Sequence, residues 1–513
     1  MRACLSSARI ARAIHFNGTQ YYSKSARSLG THQPLFKMSA SPASPTRPPP
    51  QPLHSQHPAS HPTGVRLAST AEGTTGETTT ASPNCYGFHI TSCMDAGNIE
   101  VLGAPDDSTI NLAIRPDPYC ASDSRAHYQL SMHMWFNFRL VGAAGRQVRL
   151  RIVNAGGASY APAWLGYRAC ASYDLQDWFR VPTNYDPASG VLTITHTPQQ
   201  DAVQYAYFAP YSLDRHAALL ARMQGRSRPD LPVRLRVLGR SLEGRDLEML
   251  EIGPSAPTAV AAASSLAEAT SPAAAAPSAT SSPSPGPCPP PLRVWVICRQ
   301  HPGESMAEWF AEGLLERLTD PEDSVARCLG GKACFYVVPN MCPDGSARGH
   351  LRTNAAGTNL NRAWAAPSLE AAPEVLHTLA AMDKTGVDLF LDIHGDEELP
   401  HVFVAGLEGL PGWGPRLAGL QTAFCAAAAR HAPEFQTAHG YARDAPGRAN
   451  LTLASKQVGH RFDCLSLTLE MPFKDSLEVP DPRVGWSPGR AKRLGAALLG
   501  AINDIAHLLR QSA

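Results

Sequence analysis

Four short apolar segments in the second half of the 513-residue chain constrain its fold more than any other feature. Each has the length and composition of a buried β-strand, and helical patterns such as SMAEWFAEGLLERL separate them. This alternation predicts an α/β domain whose mixed central sheet is flanked by helices. A hairpin over 234–253, turned at Glu243 and Gly244, is expected near the start of that domain. The four segments are RVWVICRQ (293–300), ACFYVVPN (333–340), VDLFLDIH (387–394) and LSLTLEMP (465–472).

Side chains able to bind a metal stand at the carboxyl ends of these segments. His301 and Glu304 follow the first segment, and His394 ends the third. Because parallel strands bring their carboxyl ends to one edge of a sheet, these residues are expected to meet there. Two histidines and a carboxylate are a standard ligand set for catalytic zinc, with water in the fourth position. The H-x-x-E spacing alone is equally that of a charged loop, since a chain with 19 histidines contains such spacings by chance.

The first ordered block, residues 86–197, has the alternating pattern of antiparallel sheet. Segments 132–142 and 146–156 alternate apolar and polar residues, and GAAG between them predicts a hairpin. Segment 190–197 repeats the pattern. Several such strands in a block of this size predict a small antiparallel β-sandwich.

Biased composition marks two further segments. Residues 1–85 are predicted to be disordered, because they lack apolar periodicity. Within them, residues 1–71 contain no Asp or Glu and are rich in Arg and Ser, a pattern typical of a mitochondrial or plastid transit peptide. A disordered tail is the alternative, with a cytoplasmic location, and Met38 offers a second start. The Ala/Ser/Pro-rich tract 254–290 predicts a disordered insertion within a second domain that spans 202–513.

Charge and cysteine content exclude several classes of protein. The formal net charge is +1, so no bulk electrostatic attraction to nucleic acid or to an anionic membrane is expected. No apolar run approaches the roughly 20 residues of a membrane-spanning helix. The 12 cysteines stand singly, with no C-x-x-C pair, which predicts reduced thiols and not a disulfide framework.

The motifs, taken together in their order along the chain, resemble those of the carboxypeptidase A-like zinc carboxypeptidases. The cytosolic carboxypeptidase branch and its bacterial relatives are the most similar, and the resemblance covers about 90–510. It implies a zinc-carboxypeptidase catalytic domain preceded by a β-sandwich. The implied activity is zinc-dependent hydrolysis that removes C-terminal amino acids from peptides or protein tails. The motifs are HPGES, NMCPDGSARGHLRTNAAGTNLNRAW (340–364), LDIHGDEELPHVFVAG (391–406) and TLEMPFKD (468–475).

The resemblance also implies roles at the catalytic centre. His301, Glu304 and His394 would hold one Zn²⁺ ion. Glu470 would act as general base and pass the proton of water to the leaving amine. Arg352 would stabilise the developing oxyanion.

A second group of implied roles concerns the substrate. Asn361 and Arg362 would bind the terminal carboxylate, for which a planar guanidinium is well suited. Tyr441, the single tyrosine between His394 and Glu470, would be the family's mobile tyrosine. Asn359 stands where the family commonly has an aspartate that orients the first zinc histidine, and its amide oxygen lacks that charge.

The choice of the last substrate residue stays open between two patterns. Lys456 and Arg461, in the segment leading to the catalytic glutamate, would pair with a C-terminal glutamate, although solvated surface charges fit them equally. The acids at 396–398 would instead orient His394 or favour a basic substrate.

Two other functions remain as alternatives. A zinc amidohydrolase that deacylates N-acyl amino acids would share the zinc ligands and the Asn-Arg pair. A catalytically silent binding protein would have lost Glu470 or a zinc ligand, and the sequence retains all of them.

Overall fold

The structure, a computed structural model, describes residues 87–118, 132–254 and 289–510. The predicted tail at 1–85 lies outside these ranges, as does nearly all of the predicted insertion at 254–290. None of the helices within them combines the length and the apolar character that crossing a membrane requires. Each cysteine of the described ranges is a free thiol, as its single placement predicted.

Two layers of β-sheet form the N-terminal part of the described chain. Their inner faces share one core, which contains Phe138 and Leu140 of one layer and Leu150 and Ile194 of the other. Within the described ranges the strand orders are β1-β4-β10-β6-β7 and β2-β3-β5-β9-β8. The strands are β1 (His89–Thr91), β2 (Glu100–Asp106), β3 (Thr109–Ala113), β4 (Asn137–Val141), β5 (Val148–Ile152), β6 (Cys170–Ser172), β7 (Phe179–Arg180), β8 (Thr183–Asp186), β9 (Val191–His196) and β10 (Ala202–Ala206).

The pairing of these strands differs from the sequence prediction in three respects. β4 and β5 do not form a hairpin, because β4 pairs with β1 and β10 while β5 pairs with β3 and β9 in the other layer. The GAAG turn therefore carries the chain between layers. β3 and β5 are parallel, so the sandwich is not wholly antiparallel. β10 belongs to the first layer, which therefore extends past residue 197, where the first block was expected to end.

The C-terminal part is built on a mixed sheet of order β11-β12-β14-β13-β15-β17-β16 within the described residues. β14, β13, β15 and β17 are mutually parallel, and the flanking strands are antiparallel to their neighbours. The predicted hairpin is formed, with Gly244 at φ 81° in its turn. The strands are β11 (Val233–Arg240), β12 (Asp246–Ile252), β13 (Leu292–Cys298), β14 (Ala333–Val338), β15 (Leu389–Ile393), β16 (Phe403–Ala405) and β17 (Leu465–Glu470).

Helices cover both faces of this sheet, which explains why its central strands are apolar without interruption. Val294 and Val296 of β13 face a core shared with α2, α6, α8 and the sandwich, whereas Trp295 and Ile297 face a core shared with α5 and α7. The helices are α1 (Leu213–Gly225), α2 (Met306–Leu318), α3 (Ser324–Gly330), α4 (Pro343–Arg348), α5 (Pro373–Thr385), α6 (Pro415–His431), α7 (Ala454–Phe462) and α8 (Pro488–Ile505).

The residues on either side of 255–288 lie close together, at the end of the sheet where its parallel strands begin. Ile252, at the end of β12, pairs with Phe335, and Leu292, at the start of β13, pairs with Ala333. Both positions are at the beginning of β14. The chain therefore leaves and re-enters the sheet at the amino ends of its parallel strands.

The opposite edge contains the carboxyl ends of β13 and β15, which are neighbours. From β13 the chain passes to β14 on one side, and from β15 it passes to β16 and then β17 on the other. Such a reversal of strand order opens a crevice between the two strand ends, where α/β proteins place their ligands. The metal-binding candidates identified in the sequence follow these two strands.

Candidate active site

His301, Glu304 and His394 meet in this crevice. Their ligand atoms all lie within 4.8 Å of one another, and all three residues are buried. Glu304 Oε1 lies 2.6 Å from His301 Nδ1, and Glu304 Oε2 lies 2.8 Å from His394 Nδ1. The two Nδ1 atoms are 3.2 Å apart. Two nitrogens and a carboxylate thus face one point, as the sequence predicted.

The loop that carries His301 and Glu304 is held in place by buried polar contacts. Arg299 adopts φ 59°, and its guanidinium donates to the carbonyls of Pro302 (2.9 Å) and Tyr211 (2.8 Å). The same guanidinium pairs with Glu308 at 2.8 Å, inside the first turn of α2. Gly303 donates its N–H to the carbonyl of Leu351, and a Cβ at this position would lie 2.8 Å from that oxygen. Only glycine fits the approach of these two loops.

Each histidine also has a partner on its outer nitrogen. His301 Nε2 lies 3.0 Å from Asn359 Oδ1, the residue that replaces the expected aspartate. His394 Nε2 lies 2.9 Å from Asp392 Oδ1. Asp392 in turn accepts hydrogen bonds from Gln300 Nε2 at 2.8 and 2.9 Å. Contacts of this kind fix the orientation of metal-binding imidazoles.

The pKa values of the two histidines shift in opposite directions. Burial lowers the pKa of His301 to about 3, which leaves a lone pair on its neutral ring. Burial also acts to lower the pKa of His394, but the carboxylates of Asp392 and Glu304 outweigh it and raise that pKa. Two imidazoles, one carboxylate and oriented outer nitrogens match the ligand set of catalytic Zn²⁺.

Glu470 ends β17 beside this cluster and is buried. Tyr441 donates a hydrogen bond to Glu470 Oε1 at 3.0 Å and lies 2.6 Å from Asp396 Oδ2. Glu470 Oε2 has no hydrogen-bond partner among the described residues. Burial raises the pKa of Glu470 well above its usual range. The contact brings Tyr441 to Glu470, although 28 residues separate them in the sequence.

The remaining predicted residues of the centre lie around the same crevice. Arg352 is partly buried, with 14% of its side chain exposed, and its Nη1 lies 3.7 Å from Glu304 Oε1. Asn361 Nδ2 lies 3.4 Å from His394 Nε2, while its Oδ1 accepts the N–H of Ala454 at the start of α7. Arg362 is exposed and donates to the carbonyl of Asn361.

Lys456 and Arg461 both have acidic partners within the protein. Lys456 is buried, pairs with Asp444 at 2.9 Å and donates to the carbonyl of Glu408 at 2.8 Å. Arg461 forms a two-pronged pair with Asp383 of α5, with distances of 2.7 and 2.8 Å, and both side chains are about two-fifths exposed. The structure therefore does not bring Arg461 to the cluster of ligands.

Three contributors to the crevice were missed or misread in the sequence. Asp392, and not the acids at 396–398, contacts the outer nitrogen of His394; its place on β15, two residues before His394, was the available signal. Asp396 binds Tyr441 instead. Tyr160, from the sandwich, lies with its ring centre 5.7 Å from the guanidinium carbon of Arg352, and no local pattern indicated this contact.

Comparison with known protein families agrees with this arrangement. A family model described as the cytosolic carboxypeptidase N-terminal domain matches residues 90–208. A zinc carboxypeptidase model matches residues 220–401, which include all three candidate ligands and end before Tyr441 and Glu470.

Individual relatives cover most of the chain. An uncharacterized protein of Zymomonas mobilis is 42% identical over 82% of this chain and 96% of its own length. The solved structure of a metallo-carboxypeptidase from Pseudomonas aeruginosa, in complex with (2-guanidinoethylmercapto)succinic acid, is 44% identical with a TM-score of 0.71; the match covers 82% of this chain and 100% of that one. Human cytosolic carboxypeptidase 4 is 36% identical over 22% of this chain, which corresponds to 10% of that protein.

Proposed function

The chain belongs to the zinc carboxypeptidase family, and on that premise we propose that it hydrolyses the last peptide bond of peptides or protein tails. The observation that carries the proposal is the convergence of His301, Glu304 and His394 on one point at the carboxyl edge of the sheet. These residues would hold one Zn²⁺ ion. When bound, zinc polarises a carbonyl and lowers the pKa of a bound water.

Glu470 is proposed to move the proton. Its Oε1 is held by Tyr441, while Oε2 is buried without a partner among the described residues, so one carboxylate oxygen is available to a reacting group. In this role Glu470 takes a proton from water as oxygen adds to the scissile carbonyl carbon. It then gives the proton to the nitrogen of the leaving amino acid as the C–N bond breaks.

Three residues are proposed to bind the substrate. Arg352, partly buried next to Glu304, would donate to the carbonyl oxygen on which negative charge develops. Asn361 and Arg362 are adjacent in sequence, and Asn361 contacts both His394 and Ala454 at the start of α7; the pair would bind the terminal carboxylate. A requirement for that carboxylate makes the enzyme an exopeptidase.

The preference for a particular C-terminal residue of the substrate is a separate question. A preference for glutamate requires a cation that can leave its own partner, and both Lys456 and Arg461 are paired with acids of the chain. We therefore propose carboxypeptidase activity, and we do not assign a preference for C-terminal glutamate to Lys456 or Arg461. Peptides that differ only in a terminal Glu, Lys or Phe decide the preference directly.

The test is product analysis by mass spectrometry with those peptides and with N-acyl amino acids as competing substrates. Stepwise loss of C-terminal residues is expected, and blocking the terminal carboxylate as an amide should abolish it. Cleavage of the N-acyl amino acids alone would assign the chain to the deacylases instead.

The Glu470→Gln variant provides the mechanistic control. Because Gln preserves the shape of the side chain but cannot carry a proton, turnover should fall by about three orders of magnitude or more, while zinc content stays at the wild-type level. Near-normal turnover in this variant would remove Glu470 from its proposed role.

A further inference from the structure

The segment 347–353, which ends in Arg352 and Thr353, lies against the N-terminal sandwich. Ala96 donates its backbone N–H to the carbonyl of Ala347 at 3.0 Å, and Asn98 Nδ2 donates to the carbonyl of Gly349 at 3.1 Å. These contacts join the loop between β1 and β2 to the last turn of α4 and to the residues that follow it.

Asp117 makes the closest of the contacts between the sandwich and this segment. Its Oδ1 accepts the N–H of Leu351 at 2.6 Å. Its Oδ2 accepts the N–H groups of Arg352 (2.8 Å) and Thr353 (3.0 Å), and the hydroxyl of Thr353 at 3.1 Å. Three successive backbone N–H groups thus point at one carboxylate, which is itself buried. Such a set of donors fixes the backbone on both sides of Arg352.

Tyr160 contacts the other end of Arg352. Its ring centre lies 5.7 Å from the guanidinium carbon, within the range of a cation–π contact. Glu304 contributes the opposing negative charge at 3.7 Å from Nη1. Arg352 is therefore held at its backbone by one residue of the sandwich and at its guanidinium by another.

We infer that the sandwich completes the active site, with Asp117 and Tyr160 as positioning residues that fix Arg352 against the scissile carbonyl. The inference rests on the proposed function, because it assigns its effect to the charge that Arg352 stabilises. Neither residue touches the reacting atoms. A donor aimed at developing charge loses its effect steeply with displacement, and an error of about 1 Å costs on the order of 100-fold in rate.

The decisive experiment is a double-mutant cycle on the full chain with Asp117→Asn and Arg352→Ala. The side-chain amide of Asn would point one of its N–H groups at a backbone N–H that donates to Asp117 in the wild type. Because two donors cannot pair, segment 347–353 should shift. We expect kcat to fall about 10- to 100-fold in Asp117→Asn, with zinc content unchanged. In the Arg352→Ala background the same substitution should cost less than about twofold, because the group that it positions is gone.

The Arg352→Ala background separates this effect from a general loss of stability, and an exposed carboxylate of the sandwich supplies a further control. Asp174, elsewhere in the sandwich, accepts the N–H groups of Gln176 and Asp177 and lies 3.2 Å from the hydroxyl of Ser172. Asp174→Asn therefore removes the same kind of contact without touching Arg352, and kcat should stay within about twofold of wild type. If Asp117→Asn lowers kcat equally with and without Arg352, or not at all, the inference is wrong.

Tyr160 is tested in the same way. Tyr160→Ala should lower kcat several-fold in the wild-type background and have no further effect on Arg352→Ala, while Tyr160→Phe, which keeps the ring, should retain most of the rate. An unchanged kcat in Tyr160→Ala would remove Tyr160 from the proposal.

Hydrogen exchange gives a measurement that needs no substrate. The amides of Leu351, Arg352 and Thr353 should lose protection in Asp117→Asn and keep it in Asp174→Asn. Unchanged protection in Asp117→Asn would overturn the inference even if the wild type released no amino acid from any peptide. Failure of the wild-type peptide assay would overturn the proposed function alone.

Discussion

The two sides of the crevice are supported in different ways. On the metal side, His301, Glu304 and His394 follow neighbouring strands of one sheet, and their outer partners lie within the same domain. On the side of Arg352, support comes from Asp117 and Tyr160, which belong to the sandwich and are about 190 or more residues away in the sequence.

The metal ligands and the residues that contact the substrate have different structural requirements. Metal ligands need fixed distances to one point, which the ends of adjacent parallel strands provide directly. A residue that contacts the substrate, such as Arg352, must instead be fixed relative to the crevice. Here the N-terminal sandwich provides that support. Changes on the two sides should therefore affect different measured quantities.

The largest effect is expected on the metal side. His301→Ala should lose zinc and activity together, since one of three ligands is removed. Zinc content measured by elemental analysis and hydrolysis of a peptide substrate check this. His431→Ala, which changes an exposed histidine paired with Asp504, serves as the control and should keep both. A His301→Ala protein with full zinc content would contradict the ligand assignment.

A smaller effect is expected from the outer partner of His394. Asp392→Asn weakens the acceptor on Nε2, and zinc affinity should fall about 10- to 100-fold, as measured by competition with a chromophoric chelator. The reverse change is available at the other histidine, because Asn359→Asp adds the missing charge and should tighten zinc binding. Equal affinities in all three proteins would mean that these partners do not tune the metal.

The polar network behind the zinc loop gives a pH-dependent prediction for stability. His216 lies 2.5 Å from Glu308, which also pairs with Arg299, and 3.1 Å from Glu248. Burial acts to lower the pKa of His216, but these two carboxylates outweigh it and raise the pKa to about 9. A raised histidine pKa stabilises the folded state fully below the unfolded value of about 6.5, and this contribution is lost as pH rises through 9.

The variant His216→Gln should therefore be less stable than wild type at pH 6, by roughly 1–3 kcal/mol, with the gap closing toward pH 9. Urea unfolding at several pH values measures the gap. A gap that stays constant across this range would show that His216 does not carry the charge.

The smallest effect is expected at Arg461, which the structure does not bring to the cluster of ligands. Its pair with Asp383 is exposed on both partners, and such pairs contribute about 1 kcal/mol or less. Arg461→Ala should change stability little and alter kcat/KM for a peptide ending in glutamate less than twofold. A selective loss of cleavage after glutamate would restore the prediction that Arg461 recognises that side chain.

The metal side could be predicted from the sequence and the opposite side only in part. Strand ends are visible as apolar runs, so the positions of His301 and His394 followed from local pattern. The contact of Asp117 with Arg352 depends on how two domains pack, and no periodicity encodes it. The hairpin predicted around GAAG failed for a related reason, because a short turn can lead to a second layer as well as to the neighbouring strand.

The place where residues 255–288 join the sheet has a consequence for engineering. Ile252 and Leu292 lie at the amino ends of the parallel strands, and β13 then runs seven residues, roughly 20 Å, before the chain reaches the zinc loop. A change in the length of the connecting tract is thus separated from the catalytic end of the sheet by the full length of strand β13. We expect this junction to accept a deletion, or a fused reporter, with the catalytic parameters retained.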